Sequence, residues 1–452
     1  MTAAAAVQGK PERTLAAAGA VTIIIGIVVG AGIFRTPSMV AGVTGDVGWA
    51  LTVWVFGGLI SLIGALCYAE LATTYPHAGG DYHFLSRAYG RKVSFLYAWA
   101  KAMVINTGSI ALLAFVFGDY LTAIVNLGPH SSAIWAAVVV VVLTGVNIVG
   151  LRVASGLQAF FTGLVFFGLL LVALSAFGID TPASSSPPAF SSTPPLGLLG
   201  LAMVFVLLTF GGWNESAYIS AEVKGGPRSI VPVIVISLAL ITLLYLLINI
   251  ALIYGLGLEK LKSSPAAASE LVALGLGRWA DWLVALLVAL AALTSINATM
   301  IVGARSNYAL GTDWEGLRFI ARWEGDRSAP VSAYMVQSAI ALVLVGLGSM
   351  YADGFGAMVE FTAPVFWGFL CLVGLALMRL RRIDPNTVRP FRVPLYPVLP
   401  IIFCVTCAYL TYSSIRYAYS QGAVHISLIV MAVGVVALWI LNKVSGPSKS
   451  VA

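Results

Sequence analysis

Glycine spacing raises the first chemical question in this chain. Residues 26–37 read Gly26-Ile27-Val28-Val29-Gly30-Ala31-Gly32-Ile33-Phe34-Arg35-Thr36-Pro37 and close an uncharged window, 14–34, that lies between Arg13 and Arg35. Glycine serves close helix packing, but Gly-x-Gly running into proline equally suits an apolar helix that breaks midway. A broken helix exposes unpaired N–H groups at the start of its second half, and those groups bind anions such as carboxylates. A second interruption of the same kind is spelled Thr209-Phe210-Gly211-Gly212-Trp213-Asn214-Glu215. Close to these stretches, or at the ends of other apolar windows, stand a few ionisable residues: Arg35, Lys101, Glu215 and Glu360. Ionisable groups at membrane depth are functional candidates by default.

The elements that must position these residues are membrane helices. The chain has 452 residues, 60% hydrophobic and 10% charged, where soluble chains carry about a quarter charged residues. Consecutive charges enclose twelve uncharged windows: 14–34, 47–69, 102–118, 120–151, 153–179, 181–214, 229–258, 282–304, 328–352, 361–378, 393–415 and 417–442. Each reaches the roughly 17–25 residues that a spanning helix needs. Twelve spans are therefore expected in an all-α membrane protein. The start of the chain lacks the small-residue cleavage site of a signal peptide. With the N-terminus placed inside, 20 of the 25 Lys and Arg fall on the inner side, which puts both termini in the cytoplasm. That distribution accounts for the net charge of +7 without a nucleic acid.

The expected organisation is a tail at 1–14, five spans in 15–178, an outer loop at 179–197, five more spans in 198–382, two spans in 383–444 and a tail at 445–452. Gly30 and Gly211 occupy corresponding positions of the two five-span units. Five is odd, so the units lie inverted in the membrane. Paired glycine-interrupted spans in inverted halves point to a transporter's site near the bilayer midplane. Cys404 and Cys407 share a helix face but have no histidine beside them, and with Cys67 and Cys371 they read as core thiols. Neither a metal nor a cofactor is expected. The four histidines have no ligand spacing, and the chain has no P-loop to bind a nucleotide.

Several motifs carry a family resemblance. Gly30-Ala31-Gly32-Ile33-Phe34, then Tyr68-Ala69-Glu70-Leu71 with Pro76-His77-Ala78-Gly79-Gly80-Asp81-Tyr82, resemble the amino acid–polyamine–organocation (APC) transporters, whose fold is of the LeuT type. Phe210-Gly211-Gly212-Trp213-Asn214, with Glu222-Val223-Lys224 and Pro227-Arg228, is similar to the L-type (LAT) branch. Asn297 and Arg389-Pro390-Phe391-Arg392-Val393-Pro394 extend the resemblance along the whole chain. It implies that an amino acid carboxylate meets the N–H groups of Gly30, Ala31 and Gly32. The amino group would meet carbonyls at the first break, Val28 included, and at Phe210 and Gly211. The side chain would face Gly211, Trp213, Asn214 and span 3 or 8. Three departures stand out: Ala31 where many relatives have serine, Leu208 where an aromatic gate is expected, and Val165 where relatives often place a lysine seven residues after a glutamine, here Gln158.

The same resemblance makes Arg35 and Glu360 an outer gate pair; the alternative is that Arg35 reaches the outer headgroups. Glu215 either complements the N-terminus of the second half-helix or sets a carboxylate beside the pocket. Lys101 either partners an inner acid such as Glu70 or carries the coupling charge missing from span 5. Glu222 and Lys224 read as inner-gate or loop-anchoring residues. The resulting expectation is a secondary amino acid transporter in a bacterial plasma membrane, coupled to a proton or to an exchanged amino acid. Polyamines, basic amino acids and a channel-like protein are the alternatives. A membrane enzyme would need a His/Asp/Glu cluster that the sequence lacks. Residues 126–132 contain no cysteine, so no disulfide-linked heavy chain is expected.

Overall fold

A computed structural model describes residues 17–77, 79–149, 155–179, 188–216, 230–277, 279, 281–321, 330–421 and 424–444. Among these residues all regular structure is helical. Among the described residues nine helices are long and apolar enough to cross a membrane. The three remaining expected spans are represented by shorter pieces. Those pieces are α1 (Ala17–Val28) with α2 (Thr36–Thr44), the described apolar part of α8 (Ser155–Ser175), and α9 (Leu196–Thr209) with the short α10 (Trp213–Ser216).

The nine are α3 (Val47–Thr74), a span made of α5 (Arg91–Ala100) and α6 (Asn106–Ile124), α7 (Ser131–Val149), α11 (Ile230–Ser263), α13 (Asp281–Asp313), α14 (Val331–Gly348), α15 (Gly354–Ile383), α16 (Val398–Gln421) and α17 (Val424–Val444). A π-helical turn, Lys101–Ile105, joins α5 to α6. Two shorter helices lie off this set: α4 (Asp81–Tyr89) and α12 (Ala267–Leu276).

The helices form two packed groups. In one, α6, α7, α13 and α14 lie against each other; in the other, α1 and α2 pack on α11, and α3 packs on both α9 and α11. Glycine makes the second group tight. A Cβ on Gly64 of α3 would stand 2.5 Å from the Trp213 ring and 2.7 Å from the Phe403 ring, so only glycine admits both aromatics there. The start of α3 is fixed by Asp46, which accepts from Trp49 N at 3.0 Å, satisfying one orphan donor of the first turn, and from Phe190 N at 3.0 Å.

At the opposite end of α3 sits Glu70, 1% exposed. It accepts two hydrogen bonds from Arg381 of α15, one at 2.7 Å, and a third from Val393 N at 2.6 Å, while Arg389 stands 3.6 Å away. Arg389 also donates to the carbonyls of Leu380 and Asp384, capping the end of α15. Two motifs far apart in sequence, around Glu70 and around Arg389, therefore make one buried joint. Of the acids that Lys101 could have partnered, Glu70 is thereby removed: its oxygens are taken by arginines, whose planar forks suit a bidentate carboxylate.

Candidate functional site

Between the two helix groups lies a cavity of about 400 Å³. Its walls come from the interrupted segments, from the α5–α6 span, and from α13 and α15. Helix α1 stops after Val29 N bonds Ile25 O at 2.8 Å; Gly30 is extended (φ −114°, ψ −167°); a short 3-10 turn, Ala31–Phe34, then leads through Arg35 into α2. The chain is thus interrupted at the glycines. The opening N–H groups of the 31–44 segment have no helical acceptors of their own. A Cβ on Gly30 would meet Ser295 Oγ at 3.3 Å, so the bare backbone lets α13 approach.

Helix α9 is interrupted in the same region: it ends at Thr209 and α10 begins at Trp213, which centres the interruption on Gly211, the anticipated residue. Within it, Gly212 takes a positive φ, +101°. A Cβ there would meet Ile27 Cγ2 at 2.9 Å and Ile27 O at 3.1 Å, which brings the second interruption directly against the end of α1.

Polar side chains join the two interruptions. Thr209 Oγ1 donates to Phe205 O at 3.0 Å, so in the 2.6 Å contact between Thr36 and Thr209 the proton comes from Thr36. Tyr245 of α11 has the larger role. Its hydroxyl lies 3.2 Å from Val28 O and 3.3 Å from Thr209 O, so one phenol serves the last carbonyls of both interrupted helices. The sequence reading missed Tyr245. The available signal was a tyrosine in mid-window at 229–258, away from the membrane interfaces, where a buried hydroxyl needs a partner. Tyr245→Phe leaves those carbonyls short of a donor and is expected to destabilise the protein by about 1–3 kcal/mol. The check is a thermal melt of purified protein in detergent, where an unchanged midpoint would contradict the bridge.

The anticipated site residues divide into two sets. Val28, Gly30, Ala31, Gly32, Leu208, Gly211, Asn214 and Lys101 all line the cavity, as does Val165. Phe210 and Trp213 do not. Phe210 packs against Trp54 and Tyr245, and Trp213 against Tyr68 and Phe403, so both rings are spent on the helix seams behind the interruption. Asn297 accepts from Asn147 Nδ2 at 2.7 Å and ties α7 to α13 instead of facing the cavity. Glu215 belongs to α10, but its side chain lies outside the described residues, as do Glu222 and Lys224.

Arg35 is buried at one end of the site. Its guanidinium meets Asp353 at 3.1 Å, Asp119 at 3.8 Å and Ser264 O at 3.1 Å. The gate pair expected from sequence is therefore corrected: the partners of Arg35 are Asp353 and Asp119, while Glu360 lies seven residues along α15 from Asp353, about 10 Å farther along the axis. Lys101, Asp81 and Tyr97 line the cavity away from Arg35.

The model for amino acid permeases matches residues 17–438. The chain belongs to the amino acid permease family. It is 30% identical over 425 residues to human "Asc-type amino acid transporter 1", covering 89% of this chain and 79% of that one. Mouse "b(0,+)-type amino acid transporter 1" is 29% identical over 397 residues, 86% of this chain and 80% of its own. Mouse "Large neutral amino acids transporter small subunit 2" is 29% identical over 439 residues, with 94% and 80% covered. These LAT-type relatives are transporters, not enzymes, and the long apolar helices agree with an integral membrane protein.

Proposed function

We propose that this permease is a secondary transporter that moves amino acids by alternating access around the cavity between its interrupted helices. The observation that carries the reading is the meeting of two helix interruptions at one cavity, the arrangement that leaves both donors and acceptors free at membrane depth. The substrate carboxylate binds the N–H groups of Gly30, Ala31 and Gly32. The ammonium binds carbonyls at the end of α1 and around Gly211. With Ala31 between the glycines, the carboxylate is held by backbone alone. The names of the relatives, transporters of amino acids, support the substrate class.

The scaffold is a LeuT-type fold of twelve spans, two inverted five-span repeats (15–178 and 198–382) followed by two further spans. Contacts between counterpart helices support the repeat: α2 packs on α9, α3 on α11, α6 on α13 and α7 on α14. The positive-inside distribution supports an outward-facing Arg35 end and cytoplasmic termini, and the membrane in this reading is a bacterial plasma membrane. Arg35, Asp353 and Asp119 then form the outer closure, and the cavity continues toward the inner face. Coupling is to a proton or to an exchanged amino acid, and Glu360 and Glu215 stay candidates for the charge that couples. No cysteine lies in the loop between α6 and α7, so no disulfide-linked heavy chain is part of the reading.

Counterflow in proteoliposomes tests the proposal. Preloading with a neutral amino acid is expected to accelerate uptake of the labelled compound, with saturation, and Gly32→Val is expected to abolish it. Non-saturable flux without trans-stimulation would indicate a channel instead, and near-normal uptake by Gly32→Val would remove the backbone carboxylate site.

A further inference from the structure

Lys101 is a lysine at membrane depth that the central site does not use. It stands ten residues into the α5–α6 span, about 15 Å along the axis from Arg91, where a lone ammonium is costly unless it has a task. Among the described residues no carboxylate pairs with it, since Glu70 is held by Arg381 and Val393 N. Its ammonium lies 6.0 Å from the Tyr97 ring centroid, and Tyr97 donates its hydroxyl to Asp81 Oδ2 at 2.8 Å. All three residues line the same cavity as Gly30–Gly32, so a basic group, an acidic group and an aromatic ring stand together in one limb of it.

That limb is separate from the backbone site. Tyr120, whose hydroxyl bonds Phe34 O at 2.9 Å, is 19 residues beyond Lys101 on the same span, about 28 Å along the axis. Gly30–Gly32 lies within one short turn of Phe34. The backbone groups and the Lys101–Asp81 pair therefore stand at different depths of the one cavity.

We infer that Lys101 and Asp81 form a second binding station for the amino acid zwitterion, carboxylate on the Lys101 ammonium and ammonium on the Asp81 carboxylate, occupied as substrate enters or leaves through the inner limb. The inference rests on the reading of the cavity as an amino acid path, and its experiment separates the two claims. In proteoliposomes of known orientation, Lys101→Gln raises the KM measured from the inner side tenfold or more and the outer KM less than twofold, and Lys101→Arg restores the inner value. With wild-type protein, gluconate, a membrane-impermeant carboxylate, inhibits from the inner side more strongly than an equal concentration of chloride and does so little from the outer side. Inner and outer constants that stay flat in Lys101→Gln, or that rise equally, overturn the station, as does gluconate acting alike from both sides. Gly32→Val transporting normally overturns the central site instead.

Discussion

Gly212→Ala should stop transport, lowering the rate at least a hundredfold while leaving protein in the membrane. Gly212 has φ +101°, a region in which an L side chain stores about 1–3 kcal/mol of strain. The added Cβ also faces Ile27 Cγ2 at 2.9 Å and Ile27 O at 3.1 Å, and a backbone oxygen cannot move aside as a flexible side chain can. Both penalties fall if the chain straightens at 210–212 and the second interruption is lost. Neighbouring Gly211→Ala is a sharper control than a distant site. Its Cβ also meets a backbone oxygen, Leu208 O at 2.8 Å, but no positive φ is involved, so the steric penalty is shared by the two variants and the left-handed conformation is what separates them. Initial rates of labelled uptake for the two variants at matched expression make the comparison. Equal rates would mean that the left-handed residue is not what keeps the helix open.

Glu70→Ala should cost about 3–5 kcal/mol, the effect of leaving buried cations without their counter-charge. Two guanidiniums depend on this carboxylate: Arg381, 17% exposed at the side chain, and Arg389, 5% exposed. The 2.6 Å bond from Val393 N would go as well, freeing the loop after α15 from the end of α3. Glu70→Gln keeps an acceptor and the packing while losing the charge, so it should fall between wild type and alanine. Thermal unfolding in detergent, followed by loss of the monodisperse peak on size exclusion, gives the order. Glutamine no better than alanine would assign the whole effect to charge, and alanine equal to wild type would contradict the joint.

Much of the architecture could be read from the chain because the bilayer forces it. A helix in hydrocarbon must be apolar for its full length, so Glu70, Lys101, Asp119 and Arg152 mark where windows end. Glycine pairs near the ends of two uncharged windows, Gly30/Gly32 in 14–34 and Gly211/Gly212 in 181–214, pointed to both interruptions for a related reason, since elsewhere in a helix they weaken it. Which glycine of a pair turns left-handed was not legible: Gly211 and Gly212 differ only in their neighbours in space, above all Ile27. The partner of Arg35 was hidden in the same way. Asp353 and Glu360 both sit toward the start of α15, and the choice depends on how that helix is set against α2 and α6. The family resemblance placed the Phe210 carbonyl and the Trp213 side chain at the site, yet neighbours on a turned segment point in different directions, and the two rings face the seam. Glu70 and Arg389 were each noticed in a motif, but contact between segments more than 300 residues apart is a property of packing that spacing cannot carry.

The Tyr245 hydroxyl has a mechanical consequence. It is a pin through the two parts that the proposed alternating access moves, driven in from α11, a third part that runs as helix from Ile230 to Leu256 before it kinks at Gly257 (φ +72°). A phenol has one proton, so when one carbonyl draws closer to it the grip on the other slackens. The ends of α1 and α9 are thereby geared: they can pivot about a common point, each trading hold with the other, more easily than they can slide apart.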